Sequence, residues 1–402
     1  MYSSGEMEIS CGQPFDVTGR VHSNGKLYVE PDNSLKFESS VTAVGAILFA
    51  RDPLDTRGAP SGTVVYVHPE LKVSPVPALT LPIGTTNTQE AIREIIEPPP
   101  VGEDPNSPIG RLRFYNQCDM VVVASDAGIS ATSGHFNNFA TIVPSNEAAM
   151  FISTANSFSD AREGKTVLPI DINIGKLAAW SQTNASLRFS VAGSNLILNS
   201  IYVVDRRTLP ATSLGAVRVV NGLQLPPGGL TVATGRPLYV WGDYNELNAA
   251  NLGTTNTSTT RQASLVGDAI TILYDSWSYA KSSSAVGSRV ASSTTVNAAF
   301  LTGPVDTTLG HYSGGMENFP RFLETWGLAN VFTYNGSMIK MFPSLYATNV
   351  WGLANVYAPP KRNWAYDANF DDPTKLPPKT PSLLKVIRGQ WATVPPGQNV
   401  AP

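Results

Sequence analysis

Apolar and polar residues alternate in short bursts along much of the chain, and turn residues separate one burst from the next. The stretches 15–19 (FDVTG), 21–25 (VHSNG) and 26–30 (KLYVE) follow one another directly. The pair Asn24-Gly25 favours a tight turn, because both residue types tolerate positive φ. Strands this short, with almost no loop between them, are typical of a β-helix coil, although a meander of short hairpins gives a similar pattern.

The same rhythm predicts strands in most of the remaining chain, and three segments predict helices instead. Predicted strands lie at 35–37, 41–49, 111–115, 120–124, 187–191, 196–198, 201–204, 217–220, 230–233, 238–245, 269–273 and 295–301. Thr88 can cap a helix over 89–97, which the prolines at 98–100 end. A second helix is predicted at 174–183. A third, amphipathic helix at 381–391 is expected to cap one end of the strand stack.

These patterns divide the chain into four parts. Residues 1–50 are predicted to form the first β-helix coils, and residues 51–110 a Pro-rich insertion with one short helix. Residues 111–380 are predicted to form the main β-helix with its surface loops, and residues 381–402 a C-terminal capping helix and tail. The predicted fold class is therefore all-β, a parallel β-helix with an insertion, and the alternative is a pair of β-sandwich-like domains.

One internal repeat is explicit. The segment 326–332 (WGLANVF) recurs at 351–357 (WGLANVY), and this period lies within the range of one β-helix coil. If the copies occupy equivalent places on successive coils, Leu328 lies over Leu353, and Asn330 over Asn355. A local duplication inside a loop is the alternative.

Composition and charge narrow the class of protein. Of the 402 residues only 15% are charged, against about 25% in an average soluble domain, while 33 are Gly and 31 are Pro. The net charge is −3 and no basic block is present, which excludes an extended nucleic-acid interface. No apolar run is long enough to cross a membrane. Residues 1–6 (MYSSGE) do not resemble a signal peptide, so the secreted or surface location that we expect requires a removed or upstream signal.

The residues that could carry chemistry form no catalytic or metal-binding motif. The carboxylates considered for glycoside cleavage are Asp243, Asp268, Asp275, Asp371 and Asp372, and each is predicted to serve a turn or a cap. The four histidines lack metal-ligand spacing, and neither a GxSxG elbow nor a P-loop is present. We therefore predict no enzyme activity, no catalytic or metal residues and no cofactor.

Cysteines and aromatic residues leave alternatives open. Cys11 and Cys118 either form a disulfide or remain two buried free thiols, and no CxxC suggests a redox or zinc site. Aromatic side chains can stack on sugar rings or fill the core. Those considered are Trp241, Tyr244, Trp277, Tyr279, Trp326, Trp351, Trp364 and Tyr366.

Three stretches carry a resemblance to a known group of proteins. They are 15–29 (FDVTGRVHSNGKLYV), 229–245 (GLTVATGRPLYVWGDYN) and 312–326 (YSGGMENFPRFLETW), the last followed by 332–337 (FTYNGS). Together they resemble uncharacterised bacterial cell-envelope proteins that contain a right-handed parallel β-helix and often begin with a pilin-like, pilus-assembly-type membrane segment. The resemblance implies export and a surface or pilus-associated role, and it brings no catalytic residues. Because the sequence does not show that membrane segment, the mode of anchoring stays open.

The predicted function is that of a non-enzymatic extracellular structural protein. It is expected to be a surface or pilus-like component whose partners are copies of itself, joined into a filament, with residues 1–10 reaching a neighbour as an added strand. The alternative is a carbohydrate-binding or polysaccharide-cleaving β-helix protein with a cell-surface polysaccharide as its partner. Two carboxylates in a groove would favour the alternative, and broad apolar patches at the ends or sides would favour assembly.

Overall fold

The structure is a computed structural model, and it describes residues 1–136, 138–184, 189–191, 194–196, 198–352 and 356–381. Strands make up 35% and helices 14% of the protein. The helix content lies well below the roughly one third of an average globular domain, and the predicted β-rich character is confirmed.

The first ten strands lie between residues 2 and 73. They are β1 (Tyr2–Ser3), β2 (Met7–Ile9), β3 (Phe15–Val17), β4 (Val21–Ser23), β5 (Leu27–Val29), β6 (Ser34–Phe37), β7 (Val41–Ala43), β8 (Ile47–Leu48), β9 (Thr63–Tyr66) and β10 (Lys72–Val73). Several of them, such as β2, β3 and β6, alternate buried side chains with exposed or partly exposed ones over three or four residues, as their sequence pattern predicts.

Twenty further strands and five α-helices follow in the described residues. The strands are β11 (Met120–Ser125), β12 (Gly128–His135), β13 (Asn138–Val143), β14 (Ile152–Ser153), β15 (Phe158–Asp160), β16 (Lys165–Asn173), β17 (Phe189–Val191), β18 (Ser194–Leu196), β19 (Ser200–Arg206), β20 (Ser213–Gly222), β21 (Leu230–Thr234), β22 (Leu238–Tyr244), β23 (Ala263–Val266), β24 (Ile270–Leu273), β25 (Thr294–Asn297), β26 (Ala299–Thr302), β27 (Pro320–Phe322), β28 (Val331–Gly336), β29 (Met338–Lys340) and β30 (Lys361–Tyr366). The helices are α1 (Gln89–Arg93), α2 (Phe114–Gln117), α3 (Ser145–Phe151), α4 (Ile174–Thr183) and α5 (Tyr279–Ser282).

Most of these strands join in parallel. A 12-stranded sheet, called the long sheet, runs in the order β10-β7-β4-β1-β29-β26-β23-β21-β19-β11-β12-β13. A 10-stranded sheet follows the path β14-β16-β20-β22-β25-β28-β30, and two three-stranded sheets are β2-β5-β8 and β3-β6-β9. Antiparallel pairs occur where β12 to β15 meet their neighbours and in β17-β18. Because β-sandwiches are built from antiparallel sheets, the alternative of two sandwich-like domains does not fit this pairing.

The strands of the first 48 residues repeat with a constant step. Met7 pairs with Leu27 and Leu27 with Ile47, each 20 positions further along the chain. The same step relates β1 to β4 and β4 to β7. Equivalent apolar residues therefore stack in columns that face a common core.

The N-terminal strands continue the stack that the C-terminal half begins. Tyr2 lies between Ile339 of β29 and His22 of β4, with parallel pairing on both sides. The Met1 ammonium donates a hydrogen bond to the carbonyl of Arg20. The prediction that residues 1–10 reach a neighbouring molecule is therefore wrong, since both edges of β1 are used within the chain.

Residues 74–119, called the strap, cross the outer face of the long sheet. Thr88 accepts a hydrogen bond from the Ala91 N–H and starts α1, which continues as a 3-10 turn over Glu94–Ile96. This confirms the helix predicted over 89–97. The isoleucines of this segment pack on Tyr202 and neighbouring residues of the long sheet, and they form a second apolar cluster outside the main core.

One end of the stack is covered by the chain itself. The β12-β13 hairpin and helices α3 and α4 lie there, and Phe151 and Trp180 from these helices are buried against the core. Helix α4 spans the residues predicted from the sequence, and Asn173 caps it by accepting the Lys176 N–H. The helix predicted at 381–391 lies outside the described residues except for Pro381.

The register near the WGLANV repeat contradicts the stacking predicted for it. Val331 pairs with Lys361, so neighbouring strands there are 30 positions apart, whereas the two copies are 25 apart. The predicted contacts of Leu353 and Asn355 lie outside the described residues. The copies therefore do not occupy equivalent places in the stack, and the repeat does not mark a coil.

The buried carboxyl of Glu324 should make stability depend on pH. Burial raises the pKa of Glu324 from 4.5 to about 8, and the nearby Arg289 offsets this only in part. A carboxyl with a raised pKa in the folded state stabilises the protein below its unfolded pKa, and this contribution is lost as the pH rises through about 8. Between these limits the free energy of unfolding should fall by up to about 1.4 kcal/mol per pH unit through this group.

The neutral variant Glu324→Gln isolates that contribution. Its melting temperature, measured by calorimetry at several pH values from about 5 to 8, should fall less steeply than that of the wild type. Equal slopes for the two proteins would show that Glu324 titrates normally.

Candidate functional site

The end of the stack opposite α3 and α4 is open. Strands β8, β9 and β10 are each the last strand of their sheet. Among the described residues no further strand pairs with their outer edges, so three rows of backbone N–H and C=O groups face outward together. Unpaired edges of this kind are templates for pairing with another strand. We call this surface, formed by residues 47–73, the open end.

Exposed apolar side chains concentrate around the open end. Within the described chain sixteen large apolar residues are exposed, and six of them fall within residues 47–73. These six are Phe49, Leu54, Val65, Val67, Leu71 and Val73. Contiguous exposed apolar surface marks protein–protein contacts more often than scattered residues do.

The core itself is only half covered at the open end. The Tyr66 ring stacks on the Phe37 ring at a centroid distance of 5.2 Å and is the last of its inward-facing column. The Lys72 ammonium lies 4.5 Å from the Tyr66 ring centroid, which is a cation–π contact. Partial burial raises the pKa of Tyr66 to about 12. The Lys72 side chain therefore covers the outer face of the Tyr66 ring, which a further strand would otherwise cover.

A second feature is a cleft lined by aromatic and charged side chains, where the N-terminal strands meet the C-terminal half. Its volume is about 330 Å³. We call it the junction cleft and define it by Arg57, Tyr312, Glu317, Trp351, Tyr357 and Arg362. Residues far apart in the sequence meet here because β1 pairs with β29.

The turn at Gly314-Gly315 shapes one wall of the junction cleft. Both glycines have positive φ, at 96° and 64°. A Cβ on Gly315 would lie 2.2 Å from the Tyr312 hydroxyl and 2.4 Å from Glu317 Oε2, and one on Gly314 would lie 2.8 Å from the Trp351 ring. These glycines let Tyr312 donate to Glu317 Oε1 at 2.9 Å. The YSGG sequence therefore builds a wall of the cleft.

Replacing Gly315 should destabilise the protein more than replacing a glycine that has a similar positive φ but open surroundings. Gly327 has a φ of 62°, and a Cβ added there would meet open space, so Gly327→Ala measures the cost of positive φ alone, about 1–2 kcal/mol. Gly315→Ala should cost clearly more in the free energy of unfolding, measured by denaturant titration, because contact with Tyr312 and Glu317 is added. Equal losses in the two variants would show that the wall yields without cost.

Hydrogen bonds hold the aromatic side of the cleft in place. Trp351 Nε1 donates to the Tyr357 hydroxyl at 2.9 Å, and that hydroxyl donates to Asn318 Oδ1 at 2.7 Å. The Trp351 and Tyr312 rings meet edge to face at 5.4 Å. The Arg57 guanidinium lies over the Tyr312 ring, 3.7 Å from the ring centroid. The rings are therefore preorganised and not free to turn.

The two arginines of the cleft have different partners. Arg57 is paired with Asp55 and Glu30, at 2.6 and 3.3 Å. Arg362 is instead held by neutral oxygens, since its Nε donates to the Glu317 carbonyl and its Nη2 to Asn318 Oδ1. Within the described residues these bonds leave its Nη1 unused. Burial lowers the pKa of Arg362 and raises the pKa of the Glu317 carboxyl.

Three of the aspartates considered from the sequence have structural roles. Asp371 lies on the surface 3.7 Å from Arg20, and Asp372 caps a 3-10 turn through the Thr374 N–H. Asp268 is fully buried and holds a loop and the strap, as described below. None of the three lines the junction cleft.

The remaining two aspartates lie near each other but outside the cleft. Asp243 accepts the Thr295 N–H at 2.6 Å. Burial raises the pKa of Asp243, and the charge of Asp275 adds to this. Asp275 is exposed. Glu317 and Arg57 are not among the candidate residues that the sequence suggested for chemistry. The signal that could have identified Glu317 is its place just after the Gly314-Gly315 pair. That pair lies in the 312–326 stretch, which the sequence analysis used only for the resemblance to envelope proteins.

Aromatic residues and cysteines mostly belong to the core. Trp326 and Trp364 are buried, while Trp351 is partly exposed in the cleft. Cys11 and Cys118 are free and buried, so the alternative of two buried thiols is the one that the structure has. Burial raises the pKa of Cys11 to about 12.

Comparisons with protein families, curated proteins and solved structures found no match to this chain. In the described part of the chain, no helix is long and apolar enough to cross a membrane. The same residues contain no group of three His, Cys, Asp or Glu side chains placed to hold a metal ion.

Proposed function

We propose that this protein is a non-enzymatic structural protein of the cell surface that associates with a second copy of itself through the open end. The single observation that carries the proposal is the coincidence of three unpaired sheet edges with six exposed apolar residues within residues 47–73. At the opposite end α3, α4 and a hairpin pack over the core, so the combination of unpaired edges and exposed apolar residues distinguishes the open end.

We further propose that the sheets are the faces of one right-handed parallel β-helix. The constant 20-residue step of β1 to β8 and the parallel registers of the long sheet support it. Its handedness rests on the resemblance and on the general preference of parallel crossover connections for the right hand.

A two-fold contact fits the open end better than a filament. A filament needs two different, complementary surfaces, whereas a contact between the open ends of two copies uses the same surface twice and closes as a dimer. A two-fold axis through the middle of β9 would pair β9 with β9 of the partner. The same axis would pair β8 with the partner's β10, and each of these strand pairs would be antiparallel. With Val65 opposite the partner's Val65, Val64 faces the partner's Tyr66 and both cores align.

A location outside the cell is supported by composition and by resemblance. A low charged fraction with abundant Gly and Pro is common in extracellular β-rich proteins, and the resembling proteins belong to the bacterial envelope. A surface protein that pairs end to end would act as a connector or spacer between two anchored chains.

The mass in solution tests the proposal. Sedimentation equilibrium should give a species of twice 42.9 kDa that dissociates on dilution. A monomer at all concentrations would contradict the proposal, and so would growth without limit into filaments.

A further inference from the structure

We infer that the junction cleft binds an uncharged sugar unit of a glycan, a function beyond the self-association proposed for the open end. The cleft volume of about 330 Å³ lies within the range of small-molecule sites, near its lower limit. A site of this size accommodates one or two sugar rings at the end or side of a longer chain.

The aromatic wall offers a stacking platform. Trp351 is partly exposed, and its ring is fixed by the hydrogen bond to Tyr357 and the contact with Tyr312. The faces of sugar rings carry C–H groups that pack on aromatic rings, and a fixed ring loses little conformational freedom when a ligand binds. In contrast, Trp326 and Trp364 are buried among core aromatics and cannot take this role.

The polar lining balances donors against acceptors and positive against negative charge. Arg57 and Arg362 supply guanidinium groups, and Asp32 and Glu317 supply carboxyl groups. Sugar hydroxyls both donate and accept hydrogen bonds, so they can use both kinds of group, including the Nη1 of Arg362. An acidic sugar would place its charge near Asp32 and Glu317, which disfavours it. The balance therefore points to a neutral sugar.

The carboxyl groups of the cleft are arranged for binding and not for cleavage. Glu317 accepts from the Tyr312 hydroxyl and from the Ser10 N–H at 3.1 Å. Asp32 is paired with Arg51 at 2.6 Å. Both carboxyl groups thus already have partners within the fold, and neither is a free acid or base. The cleft would recognise a glycan and leave its glycosidic bonds intact.

The test is a binding titration of the full chain with defined oligosaccharides. The probes are maltopentaose, cellopentaose and chitopentaose, with tri-galacturonate as the charged comparator. We expect at least one neutral probe to bind, and Trp351→Ala to weaken that binding by about tenfold or more, as lost stacking would. Arg362→Ala should also weaken it, and Trp351→Phe should restore part of the affinity lost in the alanine variant.

Arg20→Ala, a surface arginine away from the cleft, is the matched control and should bind like the wild type. The inference is overturned if no neutral probe binds, if only tri-galacturonate binds, or if Trp351→Ala and Arg362→Ala both leave affinity unchanged. Association through the open end is measured separately by mass, so failure of one proposal does not imply failure of the other.

Discussion

Replacing Asp268 with alanine should lower the free energy of unfolding by about 4 kcal/mol, as expected when one partner of a buried ion pair is removed. Asp268 is fully buried between β23 and β24. Its carboxylate accepts the N–H groups of residues 345–347 at 2.6 to 3.0 Å and the Ser344 hydroxyl at 2.7 Å. It also pairs with Arg93 of the strap at 2.9 Å.

The loss has two sources that act together. Without the carboxylate, Arg93 loses a buried counter-ion, and the N–H groups of residues 345–347 and the Ser344 hydroxyl lose their acceptor. Asp275→Ala is the control, because Asp275 also lies at the end of a strand, just after β24, but is exposed. We expect its free energy of unfolding to change by no more than about 0.5 kcal/mol. The free energies of unfolding of the wild type, Asp268→Ala and Asp275→Ala, measured by guanidinium denaturation, test this prediction. A loss of less than about 1 kcal/mol in Asp268→Ala would show that the strap and loop are held by other contacts.

Val65→Lys should abolish association at the open end, with the dissociation constant of the dimer rising by about a hundredfold or more. Val65 is 52% exposed and points outward from β9, while its neighbours Val64 and Tyr66 face the core. In the proposed two-fold contact the two copies of residue 65 lie opposite each other. Two lysines in that position repel, and like charges placed directly across a strand pair are destabilising.

Val290→Lys provides the matched control. Val290 is also 52% exposed but lies away from the open end, so this variant adds the same charge at the same exposure. It should keep the mass of the wild type in sedimentation equilibrium, whereas Val65→Lys should sediment as a monomer. Retention of the dimer by Val65→Lys would place the contact elsewhere on the molecule.

Local patterns predicted many of the elements where neighbouring residues determine them, but the strand predicted at 111–115 is wrong, because helix α2 begins there at Phe114. The strands at 15–17, 21–23 and 27–29 follow from alternation and Asn-Gly turn chemistry. Helix α4 follows from its apolar spacing and its Asn173 cap. The start of α1 at Thr88 follows from the same capping rule.

Contacts between distant parts of the chain could not be predicted in the same way. Pairing of Tyr2 with Ile339 depends on the complete stack, and no local pattern in either strand specifies the other. The error about residues 1–10 and the unnoticed junction cleft both follow from this one contact. The prediction from the repeat was wrong for a related reason: the two copies are 25 positions apart, whereas the neighbouring strands there pair at an offset of 30 positions.

Amide hydrogen exchange at two protein concentrations tests the open-end contact most directly. In the proposed dimer the edges of β8, β9 and β10 are paired, so their amides should exchange slowly at high concentration and quickly on dilution. Amides of β13, at the covered end, should exchange equally at both concentrations. Exchange at residues 63–66 and 72–73 that is independent of concentration would contradict association through the open end.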